Sequence, residues 1–79
     1  MSDHYYSESL TERIDTLLNK IDSLPENNEL NEFKHKLIEL DKIVDYIYEQ
    51  ETINKSAIID DVQEVIFKLI DIGNKLEKY

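Results

Sequence analysis

Cysteine and tryptophan are absent from this chain, and glycine, proline and methionine occur once each. Without cysteine there is no disulfide and no thiolate metal site, and a reducing compartment suits such a chain. A single glycine and a single proline leave too little turn chemistry for a multi-stranded sheet. Long apolar stretches are also missing. No uninterrupted run exceeds three residues, against about 20 needed to span a bilayer. The opening "MSDHYYSES" is polar and acidic where a secretory leader is basic and then apolar. The expectation is a cytoplasmic protein without membrane contact.

Bases are scarce as well: 9 against 18 acids in 79 residues, for a net charge of −9. Such a surface repels phosphate backbones and anionic lipid, so direct nucleic-acid binding is not expected, whereas encounter with a basic partner is accelerated. The excess is uneven. Residues 25–51 carry 8 acids and 3 bases (−5), while residues 1–24 carry −3 and residues 52–79 carry −1.

What the chain does have is a helical period, three times over. Leu10, Ile14, Leu17, Leu18, Ile21 and Leu24 recur in steps of three and four, with Ser9 and Glu12 placed as a capping box in front of them. Leu30, Phe33, Leu37, Leu40, Val44 and Ile47 follow after Pro25 in a 3-4-3-4-3 pattern. The start of this second helix has two readings: Ser23 with Glu26 as a capping box, or Asn27 or Asn28 as a later cap. The third set runs through Ile58, Ile59, Val62, Val65, Ile66, Leu69, Ile70, Ile72 and, if the helix passes Gly73, Leu76. Asn54 or Ser56 would cap it.

These stripes predict an all-α, up-down-up three-helix bundle with antiparallel neighbours. A flexible tail over 1–8 precedes one domain over 9–79, with helices at about 10–23, 26–51 and 56–77, the second the longest. The apolar arc of the third helix, about 160° wide, suits a helix with two neighbours. A first helix of about 14 residues is about 21 Å long, which leaves Val44 and Ile47 short of cover. They would need "HYY" folding back, shielding by the third helix, or a second subunit. A core this small yields only about 3–5 kcal/mol, so homo-oligomer formation would add stability.

Three large side chains fall off the predicted core faces: Ile38, Tyr46 and Phe67. Ile38, Lys42 and Tyr46 form an i, i+4, i+8 ridge along the acidic second helix. An aliphatic and an aromatic residue among Asp41, Asp45 and Glu49 have the anchor-and-rim anatomy of a binding surface. The candidate partner-binding residues are therefore Ile38, Lys42, Asp45 and Tyr46, with Phe67 as a separate candidate.

Chemistry is harder to find. Glu32 and His35 have the E-x-x-H spacing of di-iron bundles, but those need two copies facing a core, and this single copy lies on a polar face. Asp60 and Asp61 open the third helix, where acids complement the helix dipole. No metal, cofactor or catalytic residue is expected.

The stretch "KLIELDKIVDYIY" resembles the second helix of the Spo0E-like aspartyl-phosphate phosphatases, helical hairpins with a Ser-Gln-Glu-Leu-Asp signature. Glu39, Leu40 and Asp41 fall in register with it, while Leu37 and Ile38 stand where the serine and glutamine belong, and the third helix is extra. The resemblance implies a phosphatase relying on Asp41; without that polar pair the activity does not carry over. The leading expectation is a small acidic protein–protein interaction module: an adaptor, co-chaperone or inhibitor. The second is an antitoxin, immunity or phage-type anti-defence protein that masks a basic nucleic-acid-binding site by charge mimicry.

Overall fold

In the computed structural model, which describes residues 4–79, the three stripes become α1 (Tyr5–Asp22), α2 (Asn28–Glu51) and α3 (Ile59–Leu76). A 3₁₀ turn, Lys55–Ile58, leads into α3. The helices form an up-down-up three-helix bundle in which each pair is in contact. The molecule measures 41 × 23 × 17 Å, its long axis set by α2, whose 24 residues make a rod about 36 Å long.

The core is the expected interleaving of stripes. Leu10, Ile14 and Ile21 of α1 meet Leu30, Phe33, Leu37, Leu40, Val44 and Ile47 of α2. Ile58, Val62, Val65, Leu69, Ile72 and Leu76 close the third side. Gly73 lies inside α3, so the helix does run past it. A methyl group there would meet only a Leu17 methyl at 3.9 Å, and the glycine costs the helix about 1 kcal/mol relative to alanine.

Several expected boundaries are corrected. Ser9 is not a cap: α1 begins at Tyr5, so residues 5–8 of the expected tail are helical, and residues 1–3 lie outside the described part. The cause is a carboxylate from another helix. Glu51, the last residue of α2 and 1% exposed, accepts hydrogen bonds from the Tyr6 N–H, the Ser7 N–H at 3.3 Å and the Ser7 hydroxyl at 2.9 Å. The first N–H groups of a helix have no partner within it, and His4, at the cap position, supplies no capping side chain. Glu51 fills that role from 44 residues away. The longer α1, 18 residues and about 27 Å, explains why Val44 and Ile47 are fully buried without a second subunit. His4 stacks on Tyr48 at 3.8 Å at the same end of the bundle.

The second helix starts at Asn28, not at residue 26, because Asn27 is its cap: extended in backbone, it accepts from the Leu30 N–H at 2.8 Å. Pro25 stays in the linker. The third begins as the 3₁₀ turn at Lys55 and becomes α-helical only at Ile59. Its broad apolar arc is not consumed by the core: Ile59 and Ile70 are exposed and Ile66 is half-buried.

Candidate functional site

The outward side of α2 follows from its core stripe. At about 100° per residue, a helix that buries Leu37, Leu40, Val44 and Ile47 points Ile38, Lys42, Asp45 and Tyr46 away from the core. All four are exposed. Ile38 is 47% and Tyr46 45% exposed, enough for each to lose substantial apolar area to a partner.

Asp41 sits between this ridge and α1. Its pKa is raised above the usual aspartate value, first by partial burial, then by the charges of Asp45 and of Asp15 on α1. Asp45, one helical turn on, and Asp15 on α1 each place a negative charge near it. An aspartate with a raised pKa favours its protonated form in the fold. The associated stability is present below pH 3.8 and is lost as pH rises through the folded-state value. At neutral pH the charges of Asp45 and Asp15 disfavour that of Asp41, and a cation placed beside it offsets them. Asp15 was not singled out in the sequence, because its approach to Asp41 depends on how α1 and α2 are aligned.

Phe67, 68% exposed, is on α3 and points out of the bundle opposite the side that packs on α1 and α2. It does not join the α2 ridge. Glu32 and His35 are exposed on α2. Asp60 and Asp61 lie in the first turn of α3. Among the described residues no three His, Asp or Glu side chains gather as a metal ion requires, and no described helix is long and apolar enough to cross a membrane.

A second region comes from residues the periodicity assigns to the core. Between α1 and α3 runs an open groove of about 490 Å³, with Arg13, Leu17 and Lys20 on one wall and Ile70 and Gly73 on the other. A smaller hollow bounded by Tyr6 and Ile59 lies between the beginnings of the same two helices. The stripe pattern places Ile59 and Ile70 in the core, and the placement of α1 against α3 leaves them exposed.

Comparison with protein-family models, with curated proteins and with solved structures finds no match to this chain.

Proposed function

We propose that the protein is a small interaction module that docks another, basic protein on the outward ridge of α2. Ile38 and Tyr46 act as apolar anchors, and Lys42 and Asp45 set orientation. The observation that supports this reading is the placement of two half-exposed apolar side chains beside Asp41, whose carboxyl is pushed up by partial burial and by the charges of Asp45 and Asp15. Apolar anchors supply the affinity, and the acidic rim speeds encounter and selects a cationic partner. An adaptor, co-chaperone or inhibitor working in the cytoplasm fits this chemistry.

Affinity capture with the wild-type chain, followed by titration of each recovered protein against wild type and Tyr46→Ala, tests it. Loss of the Tyr46 anchor should weaken binding by tenfold or more, about 1.4 kcal/mol. A Tyr46→Ala protein that folds normally and binds every partner as wild type does removes the ridge from consideration. The same acidic group also favours the mimicry reading, in which carboxylates stand in for phosphates on a nucleic-acid-binding site. Salt separates the two: a phosphate mimic loses affinity steeply between about 50 and 200 mM salt, whereas apolar anchoring does not.

A further inference from the structure

We infer that the α1–α3 face is the docking surface for a second copy of this chain. The third helix carries two stripes. One, Ile58, Val62, Val65, Leu69, Ile72 and Leu76, is buried in the core. The other is displaced by one residue: Ile59, Gln63, Ile66 and Ile70, in steps of 4, 3 and 4. That is the spacing of a helix–helix seam, yet only Ile66 is packed in part against the core, and no helix of this chain covers Ile59 or Ile70. Ile59 is 55% and Ile70 48% exposed, Ile66 is half-buried, and Phe67 stands at the seam's outer border. In an up-down-up bundle α1 and α3 run parallel, so the seam lines one continuous face from Tyr6 and Ile59 at one end to Leu17 and Ile70 at the other.

Charge favours a second copy as the occupant. Two molecules of net charge −9 repel one another over most of their surface. The groove is the exception, because Arg13 and Lys20 balance Glu12 and Glu77 there. The α2 side, by contrast, presents the most acidic third of the chain. A two-fold axis parallel to the helices brings Ile59, Ile66 and Ile70 onto the same residues of the partner, as an isologous contact requires. The α2 ridge remains open in such a dimer, so this contact and the proposed partner site stand or fall separately.

Sedimentation equilibrium of the whole chain from micromolar to millimolar concentration reads the association directly. Wild type should reach twice the 9.4 kDa protomer mass. Ile70→Glu should stay monomeric with an unchanged helical spectrum, Arg13→Glu should weaken the dimer at least tenfold, and Ile38→Glu should leave it intact. If Ile70→Glu loses its helical spectrum, Ile59→Glu, at the other end of the face, gives the same readout. A wild type that is monomeric throughout overturns the inference. So does a dimer that survives a folded Ile70→Glu or Ile59→Glu, or one that Ile38→Glu dissolves while those two do not.

Discussion

The two ends of the bundle hold their helix termini by different means. At one end α1 begins, α2 stops and the 3₁₀ turn enters α3. There the first N–H groups of α1 are satisfied by Glu51, buried and 44 residues distant in sequence. At the other end α1 stops, α2 begins and α3 finishes. There α2 is capped by the residue in front of it, Asn27, and the charges meet at the surface. Lys34 pairs with Asp22 at 3.3 Å, and Lys78 with Glu29 at 2.8 Å. A cap supplied across the bundle makes one helix's first turn conditional on the position of another. A local cap and exposed ion pairs create no such dependence. The first end should therefore fail as a unit, and the second piecemeal.

The largest effect is expected from breaking the buried clamp. Glu51→Ala leaves the Tyr6 and Ser7 N–H groups without their acceptor, a loss of about 1–3 kcal/mol, while the Ser7 hydroxyl keeps the His4 carbonyl at 3.2 Å. That is a large share of the roughly 3–5 kcal/mol a core of this size supplies. The urea midpoint should drop accordingly, and amide exchange at Tyr6, Ser7 and Glu8 should rise before that in the rest of α1. An unchanged midpoint would mean that the carboxylate is incidental to the start of α1.

The clamp shows how far the sequence could be read. The stripes of α1 and α2 named nearly every buried residue, because a period of three to four residues depends on the helix alone. Both stripes also run on to polar residues: Ser7 lies three before Leu10, and Glu51 lies four after Ile47. A stripe that continues onto a polar side chain at the end of a helix signals a buried polar contact. Here the two continuations meet each other. The exposure of Ile38, Tyr46 and Phe67 was legible for the same reason, since they fall off the stripes. The approach of Asp15 to Asp41 and the uncovered flank of α3 were not, because both depend on how neighbouring helices are rotated and shifted. Ile59 and Ile70 joined the core in the sequence reading only because an arc of about 160° was taken to have cover along its whole width.

A smaller effect belongs to the cap of α2. Asn27→Ala removes the acceptor for the Leu30 N–H and should lower stability by about 1 kcal/mol. Chemical denaturation measures the loss. The sharper readout is its location: protection of the Asn28–Leu30 amides should fall while that of Tyr6 and Ser7 holds. Fraying of both ends together would show that the bundle couples them and would erase the contrast.

The smallest effect is expected at Glu29. Hydrogen bonds from Lys78 and then from Tyr79 lower its pKa below the usual 4.5. Its contribution to stability is present above pH 4.5 and is lost as pH falls through the lower folded-state value. The group lies at the surface, where water and salt screen the pair and ordering two long side chains offsets much of the attraction. Glu29→Gln should leave the melting temperature at neutral pH within error of wild type in moderate salt, with a small decrease emerging only at low ionic strength. A fall as large as that of Asn27→Ala, independent of salt, would make this end a tertiary clamp as well, held through the last residues of the chain.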